Sequence, residues 1–156
     1  MSVPETPNEN QPQVDELREL VETFRLDEER LKYPRPNFPV LRPPIGKMKT
    51  IIVVAYAGKT IDRFRNERPM YDVFDLDEND FRTLIVRHTS LARELARLLK
   101  ITGSKSLAGF KLTITCTRTE TQDGRVRYTY RVKGERLPEK EFREYLQLYK
   151  RALGLE

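Results

Sequence analysis

The sequence predicts an α+β domain: a mainly antiparallel sheet of about four strands packed with a long central helix and a C-terminal helix, and preceded by an N-terminal helical arm. Three observations predict it. Thr50–Tyr56 is a continuous β-branched run, as a strand buried on both faces requires. Gly109–Thr119 and Arg125–Lys133 alternate apolar and polar residues on either side of a glycine turn, the pattern of a hairpin. Two later stretches, 77–100 and 137–153, repeat apolar residues at helical spacing.

Residues 1–13 contain Pro4, Pro7 and Pro12 and almost no apolar side chain, so they are expected to be a disordered tail. Residues 14–32 read as an acidic amphipathic helix. Val14, Leu17, Val21, Phe24 and Leu31 mark its apolar stripe, with Glu28 at the skipped position. The stripe is under three heptads long. It suits docking on its own domain or on a partner, including a second copy of the chain. Residues 33–48 include YPRPNFPVLRPP, five prolines that fix φ and remove donors, so an extended linker is expected there. Residues 49–156 form the basic α+β domain. Pro36-x-x-Pro39 has the P-x-x-P spacing bound by SH3-type peptide-recognition modules, but that spacing is too common to carry weight.

Within that domain the strand at 50–56 is followed by a basic, irregular stretch over 58–69 and a second strand at 70–75, with Tyr71 and Val73 on one face. Asp77 has N-cap chemistry for a long helix running to Lys100, with a break possible at Thr89–Ser90. In the hairpin, a three-residue loop Gln122-Asp123-Gly124 pairs Cys116 with Tyr130 and Ile114 with Val132. One face is then wholly apolar. A two-residue loop would scatter the apolar residues over both faces. Leu137–Pro138 starts the last helix, whose stripe is Phe142, Leu146, Tyr149 and Leu153.

The charge is unevenly placed. The chain carries 29 basic and 24 acidic side chains, net +5. Residues 1–32 are net −5, residues 33–70 net +6 and residues 101–136 net +5, so residues 33–156 together are net +10. That is the layout of an acidic arm on a basic body. Nineteen arginines to ten lysines suit a thermophile or a GC-rich genome. No apolar run approaches the ~20 residues of a membrane span, and no secretory h-region is seen. The expected location is the cytoplasm, or the host cytoplasm for a virus-encoded protein.

Enzyme chemistry finds little support. One cysteine excludes an internal disulfide, and one histidine leaves almost nothing for a zinc site. Ala57-Gly58-Lys59-Thr60 lacks the earlier glycine of a phosphate-binding loop, whose position is Val53. Asp75, Asp77 and Asn79 match the start of a calcium loop, but Asp80 and Val86 stand where it needs Gly and Glu. Asp72 and Asp75 point to opposite faces of a strand, against a shared Mg²⁺ site. His88 and Cys116 both fall on apolar faces. No cofactor, metal or catalytic residue is expected.

The functional expectation is therefore a non-enzymatic, sequence-tolerant nucleic-acid-binding protein, with single-stranded DNA or RNA preferred. The hairpin's polar face supplies Lys111, Thr113, Thr115, Arg125, Arg127, Arg131 and Lys133, and hydroxyls and guanidiniums are common phosphate partners. Lys47, Lys49, Lys59, Arg63, Arg65 and Arg68 would extend this into one basic track. Tyr33, Phe38, Tyr56, Phe64 and Tyr71 are the candidate stacking platforms. The acidic arm would fold over the basic surface or recruit a partner. The rival expectation is a structural or assembly subunit of a virion or ribonucleoprotein-like complex, with the arm making protein contacts.

Overall fold

The computed structural model describes residues 35–155. The expected tail, the 14–32 helix and its residues Val14, Leu17, Val21, Phe24 and Leu31, together with Tyr33, lie outside the described residues.

Five strands and two helices follow one another as β1 (Met48–Ile61), β2 (Glu67–Asp75), β3 (Asp80–Ile85), α1 (Thr89–Thr102), β4 (Phe110–Glu120), β5 (Val126–Arg136) and α2 (Glu139–Ala152). The strands form one antiparallel sheet in the order β3-β2-β1-β4-β5. The α+β class and the antiparallel sheet match expectation; the strand count is five, not four.

The additional strand replaces the first half of the expected long helix. Phe81, Leu84 and Ile85 recur at helical spacing, yet 80–85 is β3. A strand buried on both faces has an almost unbroken apolar run, which a helical template fits equally well. Phe81, Thr83, Leu84 and Ile85 are all buried. Asp77 is accordingly not a helix cap. Asp75 Oδ1 accepts from the backbone N–H groups of Asp77 (3.0 Å) and Glu78 (3.2 Å), which turns β2 into β3. Asn79 completes the turn at φ 53°, a left-handed conformation that asparagine tolerates. The helix itself begins only at Thr89, with His88 at its N-cap position.

The hairpin β4–β5 has the expected register. Cys116 pairs with Tyr130, Ile114 with Val132, Thr115 with Arg131 and Thr113 with Lys133. The Thr121 N–H donates to the Arg125 carbonyl at 2.8 Å, and Gly124 sits in the loop at φ 82°, where a side chain would be strained.

Two cores lie on the two faces of the sheet. On one face α1 brings Leu91 and Leu95 against Ile51, Val53, Val73, Leu112, Ile114, Cys116 and Val132. On the other, α2 packs Phe142, Tyr145, Leu146 and Tyr149 over Ile52, Val54, Phe74 and Phe81. The α2 helix starts one residue after Pro138, which occupies the N-cap rather than the first helical position.

The proline segment is extended, and it is packed from Asn37 onward rather than free. It crosses the α1 side of the sheet from β3 to β4 as a strap. Leu41 N–H donates to the Thr83 carbonyl (2.8 Å), and Thr83 N–H donates to the Pro39 carbonyl (3.0 Å). Leu41 and Pro44 are buried, and Ile45 makes a parallel bridge with Cys116. The strap covers the outer edge of β3. Side chains of α1 cover that of β5: Ser90 Oγ donates to the Tyr128 carbonyl (2.8 Å) and accepts from Tyr130 N–H (3.2 Å), and Glu94 Oε1 accepts from Val132 N–H (3.1 Å). Both edges are thus shielded from pairing with other chains along these stretches.

Candidate nucleic-acid interface

Strand alternation sends Phe110, Leu112, Ile114 and Cys116 into the α1 core, so Lys111, Thr113, Thr115 and Thr117 must face the other way. On β5 the same face carries Arg127, Thr129, Arg131 and Lys133. Helix α2 lies on this side but packs over β1, β2 and β3. Among the described residues nothing packs over the β4–β5 half. Thr117, Arg127, Thr129, Arg131 and Lys133 are exposed, and Lys111, Thr113 and Thr115 are half-buried. Thr50 beside Thr113 and Met48 beside Thr115 extend the face onto β1. Glu135, opposite Lys111, is the one acid in these pairs between Lys111 and Thr119.

The cations of the chain divide by whether an acid holds them. Lys49, half-buried, donates to Oδ2 of the buried Asp75 at 2.6 Å, and it points to the α1 side. Lys59 faces Glu67 (3.5 Å) and Arg68 faces Asp62 (3.1 Å). Arg118 pairs with Glu120 and Arg125 with Asp123. Lys111, Arg127, Arg131 and Lys133 have no ion-pair or hydrogen-bond partner among the described residues. The open face is therefore one place where several cations stand together without an acid to hold them.

The expected single basic track does not form along β1. Lys49 faces away from Thr113 and Arg131. Lys59, Arg63, Arg65 and Arg68 gather at the β1–β2 turn, the end of β1 remote from Met48. That turn is built by Asp62, whose Oδ1 accepts from the N–H groups of Phe64 (2.8 Å) and Asn66 (2.9 Å). These bonds and Arg68 hold the Asp62 carboxyl below its usual pKa. Lys47 is exposed beside the strap. Strand parity contains the signal that separates Lys49 from Thr50, and reading it through Thr50–Tyr56 would have found it.

The aromatic candidates also divide. Phe38 stacks on Phe81 at 5.2 Å inside the α2 core. Tyr71 is half-buried and meets the edge of Tyr56. Tyr56 is 51% exposed and Phe64 71% exposed, with the Arg63 guanidinium 5.1 Å from the Phe64 ring centre. Tyr128 and Tyr130 lie on the α1 side, where His88 packs against them at 4.7 and 5.5 Å. Burial first, then Arg87 and Arg68, push the His88 pKa down. Burial pushes the Cys116 thiol up, so it is held as a thiol. Among the described residues no three His, Cys, Asp or Glu side chains are grouped to hold a metal ion. Nor is any helix there long and apolar enough to cross a membrane.

No protein-family model matches the chain. A search of curated proteins finds no match either.

Proposed function

We propose that the protein is a non-enzymatic, sequence-tolerant nucleic-acid-binding protein that holds the sugar–phosphate backbone on the open β4–β5 face. The observation that carries this reading is the set of four cations without acid partners, Lys111, Arg127, Arg131 and Lys133, interleaved with Thr113, Thr115, Thr117 and Thr129 on one face. Guanidinium, ammonium and hydroxyl donors satisfy phosphate oxygens, and contacts of that kind carry no base information. No aromatic ring sits among these residues, so stacking is not the main source of affinity there. The preference for a single strand rests on Tyr56 and Phe64, the exposed rings at and near the β1–β2 turn, which offer a stacking surface beside Arg63.

The test is oligo-dT binding as a function of salt. Four single-strand phosphate contacts at ~0.7 each give a log–log slope of about −2.8. Affinity that hardly changes between low and physiological salt overturns the reading. A chain that ignores oligonucleotides yet runs as a defined oligomer favours an assembly subunit instead.

A further inference from the structure

The strap, the β2–β3 turn and the chain between β3 and α1 border a groove of about 860 Å³ on the α1 side of the sheet. Its basic side chains are Arg42, Lys47, Lys49, Arg82 and Arg87, against Asp75 and Glu78. Lys49 is held by Asp75 and Arg82 by Asp80. Arg42, Lys47 and Arg87 are exposed and have no ion-pair or hydrogen-bond partner among the described residues. Beside the groove, and sharing Arg42 and Arg87 with it, is a small pocket of about 60 Å³ walled by Leu41, Leu84, Ile85, Ile114 and Tyr130. A cationic rim around an apolar socket suits a ligand that presents carboxylates next to an aliphatic or aromatic side chain.

We propose that this groove seats the chain's own segment Val14–Lys32. Charge is the first argument, since residues 1–32 carry 9 acidic and 4 basic side chains. The pattern is the second. Val14, Leu17, Val21, Phe24 and Leu31 are interleaved with Asp15, Glu16, Glu19, Glu22 and Asp27, which matches socket and rim together. Reach is the third. The described chain starts at Arg35, four positions after Leu31 and four before Pro39, where the wall of the groove begins. Asn37 and Phe38 are held on the α2 side, so the segment has to return around the outer edge of β3; at ~3.3–3.6 Å per extended residue Leu31 lies at most about 14 Å from Arg35. The open β4–β5 face attracts the same acids but has no apolar socket for Leu17, Val21 or Phe24, so it is the poorer seat.

Hydrogen exchange of the full-length protein at low salt tests this without nucleic acid, so it stands apart from the reading of the open face. Amides in 14–32 are expected to be protected, and Arg42→Glu with Arg87→Glu is expected to speed their exchange by about tenfold or more. Adding Glu19→Arg with Glu22→Arg restores the protection, and Arg131→Glu with Lys133→Glu leaves it unchanged. Should the double reversal fail to fold, Lys47→Glu reads the same groove with one charge. Amides in 14–32 that exchange equally fast in the parent and the reversed protein overturn the proposal. So does protection that grows with protein concentration, which places the segment on a second copy. Loss of oligo-dT binding in the Arg42/Arg87 variant, with arm exchange unchanged, also overturns it and assigns the groove to nucleic acid.

Discussion

Tyr149 on α2 donates its hydroxyl to Asp72 Oδ2 on β2 at 2.6 Å. Asp72 is fully buried and also accepts from Asn37 Nδ2 (2.7 Å) and Thr83 Oγ1 (2.9 Å). One carboxyl group thereby ties the start of the strap, β3 and the C-terminal helix to the centre of the sheet. Leaving a buried acceptor short of a donor costs about 1–3 kcal/mol. Tyr149→Phe is therefore expected to lower the unfolding free energy by about 1–3 kcal/mol, read as a lower urea midpoint with an unchanged m-value. Full stability in this variant would show that water replaces the hydroxyl at no cost.

The same hydroxyl makes stability depend on alkaline pH. Burial, and next the Asp72 carboxyl, push the Tyr149 pKa well above its usual 10.0. Tyr130 is raised by burial and by Cys116, and Tyr71 and Tyr145 are raised mainly by burial. Above about pH 10 the unfolded chain loses phenolic protons that the native state keeps, so stability is intact below pH 10 and falls as pH rises past it. Denaturation midpoints across pH 8–11 check this. Tyr149→Phe should flatten the decline, and a variant as steep as the parent counts against Tyr149 as a contributor.

His88 gives the complementary acid-side effect. Its pKa is held below 6.5, so below that pH the unfolded chain takes up a proton that the native protein resists. Stability is therefore expected to fall as pH drops from 6.5 toward the native value. The chain has one histidine, so its imidazole signal in an NMR titration is unambiguous. A midpoint at or above 6.5 would contradict the packing of His88 on Tyr128 and Tyr130.

Gly134 is required by close approach. A Cβ there would lie 2.5 Å from Leu98 Cδ2 and 2.9 Å from Leu112 Cδ2. Leu112 is fully buried and has little room to yield. Gly134→Ala is expected to destabilise by about 1–3 kcal/mol, as overpacking usually does. A thermal melt decides it, and an unchanged midpoint would mean that α1 shifts off β5 without cost.

Glu94 shields the outer edge of β5 by accepting from Val132 N–H while it also pairs with Arg97 (3.0 Å). Glu94→Ala frees that N–H and exposes a strand edge, so faster amide exchange at Val132 and concentration-dependent association are expected. Unaltered exchange at Val132 would show that the carboxylate is dispensable.

On the open face, Arg131→Gln with Lys133→Gln should lower oligo-dT affinity and reduce the magnitude of the salt slope by about 1.4, at ~0.7 per lost phosphate contact. Lys59→Gln, whose charge already meets Glu67, should change the slope less. Equal losses from both would move the interface to the β1–β2 turn.

The hairpin was legible in the residues alone. Alternation has a period of two, so the three-residue loop, and not the two-residue one, puts Phe110, Leu112, Ile114, Cys116, Tyr130 and Val132 on a common face, and the Thr/Arg face follows from the same parity. Helix α2 was legible too, because a stripe of period 3.6 bounded by Pro138 and Gly154 has no competing reading. Tertiary structure decided the rest. Whether 80–85 is strand or helix depended on a sheet able to bury both of its faces, which no local pattern records. Whether a cation is free or held depended on partners far along the chain, as Lys49 shows with Asp75. The proline segment became a strap because Thr83, more than 40 residues away, offered its backbone to Pro39 and Leu41. Local periodicity encodes which face a side chain takes, and only the assembled sheet sets what that face meets.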